Sequence, residues 1–469
     1  METLGREAVF PTDTAAPVSG LFSPERRILT IGLTLVVTMI AFEALAVATA
    51  MPVVEDDLGG LSLYGLVFSG FMVANLVGAA YAGQVADRGD PAAPLAGGLV
   101  VFGIGLVVAG VAPSMAVVVA GRVVQGLGAG IVVTLAYVGI ARGYDESLRP
   151  RMFAVLSSAW VVPGLVGPAL AGVIADHVSW RLVFLGLLPL LPLAGVLTIP
   201  ALRGLRSENN GGASRSNRLG LSLVLAFGAA LILAGTTLEV LAIIVPLVAV
   251  GGVVAIVALR SLLPLGTFRA APGMPAAVAV LGLSSVTFFG AEAFLPFALT
   301  DIRDQSPTVA GLALTAATLS WTAGSWLQAH QAHVWSGRWL AVSGLLLITL
   351  GVAVAGSTTA DGVPVAMAAV GWAFGGLGMG LSFATVSVLI LSGAPEGQTG
   401  YASSSVHLAD TLGIAVGAGV AGAIVSAGDS VGWANATSVG IVFGSMVAVG
   451  LLGSVLSLRL PDRPPASLS

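Results

Sequence analysis

The stretch Gly121-Arg122-Val123-Val124-Gln125-Gly126-Leu127-Gly128-Ala129-Gly130 sets an arginine inside an otherwise apolar run, and it recurs as Gly371-Trp372-Ala373-Phe374-Gly375-Gly376-Leu377-Gly378-Met379-Gly380. At a constant offset of 250 residues, Gly121, Gly126, Leu127, Gly128 and Gly130 meet Gly371, Gly376, Leu377, Gly378 and Gly380, and farther on Gly167 and Gly172 meet Gly417 and Gly422. The chain therefore reads as two related halves. Gly126/Gly130 and Gly376/Gly380 are small-xxx-small pairs, a spacing that lets helix backbones approach closely in lipid, where packing contacts drive association. Only the first copy carries a charge. A guanidinium at the centre of a membrane costs about 2.5–3.5 kcal/mol on insertion scales, which makes Arg122 a functional candidate that needs a partner. The plainer alternative is an arginine that pins helices together without transport chemistry.

Composition supports the membrane setting. Of 469 residues, 56% are hydrophobic, 9% are charged and 63 are glycine, a balance that excludes a soluble domain and indicates a polytopic membrane protein. All 19 basic residues are arginine and cysteine is absent, so disulfides and thiolate metal sites are excluded. There is no basic tract for nucleic acid. No phosphate-cradling glycine loop, nucleophile triad or metal-ligand cluster is present, so neither an ATP-driven pump nor an enzyme is expected, and no cofactor or metal. Residues 1–24 lack the charged flank, apolar core and small-residue cleavage site of a signal peptide, so the first span itself is expected to direct membrane insertion.

Apolar runs of ~20 residues, the length that crosses ~30 Å of hydrocarbon as a helix, occur at 28–54, 61–86, 93–112, 115–141, 152–175, 181–202, 218–237, 240–262, 274–298, 307–329, 338–357, 363–393, 401–427 and 434–458. The expected fold is an all-α membrane protein with fourteen transmembrane helices, since long glycine-rich runs lack the alternation of a membrane barrel. With the N terminus in the cytoplasm, sixteen of the nineteen arginines fall in inner segments, leaving Arg181 and Arg303 outside and Arg122 within a span. Both termini are thus placed in the cytoplasm. The expected organisation is a cytoplasmic segment 1–27, a six-helix bundle 28–202, a polar linker 203–217, two inserted helices 218–262, a second six-helix bundle 274–458 and a tail 459–469. The inserted pair has no counterpart in the repeat and is assigned to packing or lipid contact.

At these residues the chain resembles the major facilitator superfamily, in its fourteen-helix drug/proton antiporter branch, over nearly its whole length. Arg122-x-x-Gln125-Gly126-x-Gly128 is similar to the family's fourth-helix motif, and Gly164-Leu-Val-Gly167-Pro168-Ala-Leu-Ala171-Gly172 resembles the fifth-helix motif associated with antiporters. Glu43, nine residues before Pro52, resembles the branch's first-helix acidic motif, with glutamate where aspartate is usual. Trp180-Arg181-x-x-Phe184 is similar to the family's opening of helix six. The loop after helix two keeps Gly83, Asp87 and Arg88 but departs from the family's pattern at Asp90 and Pro91, where basic residues are usual.

The ionisable groups inside the spans are Glu43, Arg122, Glu292 and Asp410, with His407 close to the last. A transporter driven by a proton gradient needs a group that binds a proton at one face and releases it at the other, and a carboxylate pulled one way by desolvation and the other by an arginine is suited to this. From the helical rise, Glu43 lies ~21 Å up an inward-to-outward helix and Arg122 ~12 Å down from the outside, so the two fall within a turn of one another. Gln125, three residues on, shares Arg122's face. Glu43, Arg122 and Asp410 are the candidate proton-coupling residues. His407, one turn below Asp410, is a candidate relay or simply a hydrated group. Glu292, Gln125, Trp372, Phe289 and Trp321 are the candidate substrate contacts, because aromatic faces can stack on lipophilic or cationic molecules. The expected function is proton-coupled export of a lipophilic small molecule by rocking bundles in a bacterial inner membrane. The partners are then that substrate, protons and the bilayer, and the chain reads as a monomer. Export of an endogenous metabolite or lipid is the alternative within this class, and a non-transporting scaffold or receptor the alternative outside it.

Overall fold

The computed structural model describes residues 20–462 apart from 87–88, 146–147, 204, 206–217, 237–240, 332–333 and 394–398. Asp87, Arg88, Glu239, most of the 203–217 linker and both chain ends lie outside the described residues. Over its described residues each of the fourteen apolar runs is mostly helical. In chain order the α-helices are α1 (Arg27–Leu58), α2 (Tyr64–Ala86), α3 (Ala92–Gly110), α4 (Met115–Gly143), α5 (Arg149–Ser158), α6 (Val161–Ile174), α7 (Arg181–Leu185), α8 (Leu190–Leu202), α9 (Arg218–Thr236), α10 (Leu241–Leu262), α11 (Met274–Glu292), α12 (Leu295–Phe297), α13 (Pro307–Gln331), α14 (Gly337–Gly356), α15 (Ala366–Ser392), α16 (Thr399–Ser430) and α17 (Asn435–Ser457). Among the described residues, 11 helical segments are long and apolar enough to cross a membrane. The runs holding α9, α10 and α13 are not among them.

Three of the runs expected to be continuous are broken. α5 and α6 part at 159–160, α7 and α8 at 186–189, and α11 and α12 at 293–294. Each break lies within three residues of a proline (Pro163, Pro189, Pro296), which lacks the N–H that an uninterrupted helix would use. Pro52, Pro168, Pro200 and Pro246 are instead accommodated inside their helices.

The 250-residue repeat is visible in the packing. In the first half α4 packs on α2 and α3, and α1 on α6 and α8; in the second, α15 packs on α13 and α14, and α11 on α16 and α17. The paired glycines make these approaches possible. A Cβ on Gly126 or Gly130 would run into the carbonyls of Phe71 and Asn75 on α2, and one on Gly376 or Gly380 into those of Ala317 and Trp321 on α13. The halves meet along a seam formed by α2 with α16 and by α6 with α13. The motif glycines serve that seam, since Gly164 faces Thr318 and Gly172 faces Pro307 on α13, while Gly167 lies against Phe42 and Pro168 against Gly311. α9 and α10 pack on each other, and Leu225 and Ala258 cluster with Leu76 of α2 and Leu408 of α16. The inserted pair therefore lies over the α2–α16 side of the seam.

One face of the bundle carries the start of α1 and the end of α17; the other is termed the distal face. On the distal face Asp57 of α1 accepts hydrogen bonds from Trp180 Nε1 and Arg181, both at 2.9 Å, and the Arg181 guanidinium lies 4.2 Å from the Trp180 ring centre. On the opposite face Arg142 donates to the carbonyls of Ala86, Gly89 and Leu205, and the Ala92 N–H donates to Asp90 Oδ1 at 2.8 Å. Asp90, the departure from the family pattern, thus orders the start of α3. Outward positions such as Val100, Ile104, Val107 and Val111 form one exposed apolar stripe, as a lipid-facing helix requires.

Gly126→Ala places a methyl group where the Phe71 carbonyl stands and should destabilise the protein by about 1–3 kcal/mol. Gly97, with open space around its Cβ position, is the control: Gly97→Ala should leave stability unchanged or raise it slightly. Thermal melting of both variants, purified in detergent, checks the pair.

Candidate functional site

The structure brings Glu43 of α1 and Arg122 and Gln125 of α4 together. Arg122 forms an ion pair with Glu43 Oε1, and Gln125 Nε2 donates to the same oxygen at 3.1 Å. Arg122 also donates to Gln125 Oε1 at 3.3 Å and, through Nε, to the Val67 carbonyl of α2 at 3.2 Å. Its guanidinium lies 4.1 Å from the ring centre of Phe71. Three helices thus hold one cation by a carboxylate, two amide oxygens and an aromatic face. All three polar side chains are buried: Glu43 and Gln125 are 0% exposed and Arg122 2%. The second carboxyl oxygen, Glu43 Oε2, is buried without a hydrogen-bond partner among the described residues. A charged carboxylate oxygen buried without a partner is costly.

The equivalent positions in the second half are apolar. Counting 250 residues on, Glu43, Phe71, Arg122 and Gln125 correspond to Ala293, Trp321, Trp372 and Gly375. Phe288 occupies the space that the missing side chain at Gly375 leaves, within 3.2 Å of its Cβ position. It stacks on Trp372 at 5.1 Å between ring centres and meets Phe289 at 5.2 Å and Trp321 at 5.8 Å edge-on. Trp321 in turn lies 6.0 Å from Phe383. The candidate substrate contacts Phe289, Trp321 and Trp372 are therefore one cluster. Phe289 and Trp321 are half-buried, while Trp372 is sealed, its indole N–H without a hydrogen-bond partner among the described residues.

The remaining candidates sit apart from the Glu43 group. Asp410 of α16 is half-buried and accepts a hydrogen bond from Ser285 of α11 at 2.7 Å. His407 is exposed, and among the described residues no bond joins it to Asp410; of the two readings, relay or hydrated group, the geometry matches the hydrated group, and Asp410 takes a hydroxyl partner on a neighbouring helix instead. Asp410 and Tyr137 of α4 are within electrostatic reach of each other although they belong to opposite halves, and Tyr137 is exposed. Glu292, the last residue of α11, is buried with no hydrogen-bond or ion-pair partner among the described residues.

Sequence reasoning missed Val67, Phe71 and Ser285. Phe71 had a signal, since it stands 250 residues before Trp321; Val67 acts through its backbone and had none.

The Major Facilitator Superfamily matches residues 31–291. The chain belongs to that superfamily. It is 26% identical over 440 residues to the "Probable multidrug-efflux transporter" of Mycobacterium tuberculosis strain H37Rv, covering 88% of this chain and 91% of that one. It is 24% identical over 420 residues to the multidrug transporter protein MdtP of Bacillus subtilis, covering 86% and 76%. Among solved structures, it shares the fold of a bacterial homologue of the human lysosomal transporter Spinster in an inward-facing, unoccupied conformation, with TM-score 0.66, 15% identity and 93% and 96% coverage. A peptide transporter POT variant in complex with sulfate gives TM-score 0.68, with 15% identity and 95% and 96% coverage. Membership of this superfamily makes the chain a multi-pass membrane transporter.

Arg122→Ala leaves Glu43 with Gln125 alone in a dry site and should cost about 3–5 kcal/mol of stability. Adding Glu43→Gln to that variant removes the stranded carboxyl, so the double variant should be clearly less destabilised than the sum of the two singles. Detergent melting curves of all three variants decide this, and additive losses would show that the pair is not coupled.

Proposed function

We propose that this transporter is a drug/proton antiporter of the fourteen-helix branch, exporting lipophilic small molecules by alternating access. The observation that carries this reading is the Glu43 carboxyl, with one oxygen engaged by Arg122 and Gln125 and the other buried and unpaired. Desolvation favours the protonated acid and Arg122 favours the carboxylate, so a modest rearrangement of α1 against α4 moves the proton on or off. Asp410 with Ser285 is the second candidate proton site.

In this reading the halves 28–202 and 274–458 rock as bodies about the α2–α16 and α6–α13 seam, and both chain ends face the cytoplasm of a bacterial cell. The half-buried Phe289 and Trp321 take the substrate's apolar surface with the sealed Trp372 packed behind them, and Glu292 contributes the carboxyl of that half. The fourteen crossings include α9, α10 and α13, and the chain works as a monomer. The named efflux relatives in Mycobacterium tuberculosis and Bacillus subtilis support the choice of substrate class.

Glu43→Gln mimics the permanently protonated acid. In proteoliposomes it should still exchange a lipophilic substrate across the membrane, while accumulation driven by an imposed pH gradient should fall to the level seen without the gradient. Gradient-driven accumulation that survives in Glu43→Gln would move the proton site elsewhere, with Asp410 the next residue to change.

A further inference from the structure

The first residue of α2, Tyr64, is 0% exposed and crosses the seam. Its ring lies 4.9 Å from Phe294 and 5.6 Å from Phe297, both fully buried in the other half, and 5.8 Å from Phe68 in its own. The helix break at 293–294 delivers Phe294 to this position. Directly beside the rings, Gly65 and Gly422 bring α2 and α16 so close that neither tolerates a Cβ. These rings seal the distal end of the seam. Yet among the described residues the Tyr64 hydroxyl has no hydrogen-bond partner. It is within electrostatic reach of Glu55, Asp56 and Asp301, whose carboxylate oxygens all lie within 4.8 Å of one another. Glu55 and Asp56 belong to the first half and Asp301 to the second, so that crowding exists only while the halves are together.

The surrounding charges do not neutralise the trio. Arg181 is bound to Asp57, and Arg303 donates to the carbonyls of Thr358 and Ala360. Asn435 donates to Asp301 at 2.6 Å, and the further group in reach of Glu55 is another carboxylate, Asp429.

We propose that Tyr64, Phe294 and Phe297, with Glu55, Asp56 and Asp301, form a proton-sensitive latch that holds the distal face closed but is built to release. Ring burial favours closure. Two terms oppose it: a hydroxyl that loses its water without gaining a partner, and carboxylates from opposite halves pressed together. Opening returns the hydroxyl to water and separates the charges, while protonating any member of the trio removes a repulsion present only in the closed form. Acid at that face therefore favours closure. The proposal rests on the alternating-access reading.

The chain has no cysteine, so spin labels at Val111→Cys and Val431→Cys, both exposed at the distal face in opposite halves, report the opening directly by pulsed electron paramagnetic resonance in nanodiscs. The wild-type background should show a short and a long distance, with the short one gaining as pH falls. Tyr64→Phe keeps the rings and deletes the orphaned hydroxyl, so the short-to-long ratio should rise roughly tenfold at fixed pH. Asp301→Asn should raise the ratio at neutral pH and flatten its pH dependence, and it tests the latch without touching the aromatic seal. Two wild-type distances with no response to Tyr64→Phe, or a shift toward the long one, would overturn the latch and leave alternating access standing. A single wild-type distance at every pH, with and without substrate, would overturn both.

Discussion

A carboxyl and a guanidinium buried together in the first half are the constraint on which the rest depends. Neither Glu43 nor Arg122 is tolerable alone in a dry helical bundle, and the partners that make them tolerable come from three helices: the Gln125 amide of α4, the Val67 carbonyl and Phe71 ring of α2, and Glu43 itself on α1. Holding those helices close enough requires glycine where backbones touch, so Gly126 and Gly130 belong to the same device as the charges. Among the described residues the second Glu43 oxygen has no hydrogen-bond partner.

The second half shows what the same scaffold does without that constraint. Trp372, Trp321 and Gly375 stand where Arg122, Phe71 and Gln125 stand in the first, and the space is filled by Phe288 stacked on Trp372. The two copies thus hold an ion pair in one half and an aromatic cluster in the other.

Much of this was legible in the sequence because lipid restricts the choices. Spans follow from the need to satisfy every backbone group internally, and the fixed helical rise placed Glu43 and Arg122 at one depth. Rotation about each helix axis was not legible: α2 is apolar on nearly every side, so nothing in its composition says that Phe71 rather than Phe68 lies under the guanidinium. Nor were the breaks at 159–160, 186–189 and 293–294, because Pro52, Pro168 and Pro200 sit inside unbroken helices and proline alone does not mark a break. The Asp410–Ser285 bond joins helices far apart in sequence, whereas the candidate His407–Asp410 relay rested only on proximity along one helix. Contacts across the seam, such as Tyr64 with Phe294, depend on how the halves are arranged, which a linear pattern does not encode.

In the proposed antiport cycle Glu43 exchanges a proton as substrate is bound and released. Infrared difference spectroscopy of the protein in lipid, recorded as substrate is added, tests it directly through the carbonyl stretch of a protonated carboxyl. The account predicts that this band is lost on substrate binding in the wild type and that the loss is missing in Glu43→Gln while substrate still binds. An unchanged difference band in Glu43→Gln would contradict it and assign the exchanging proton to another residue.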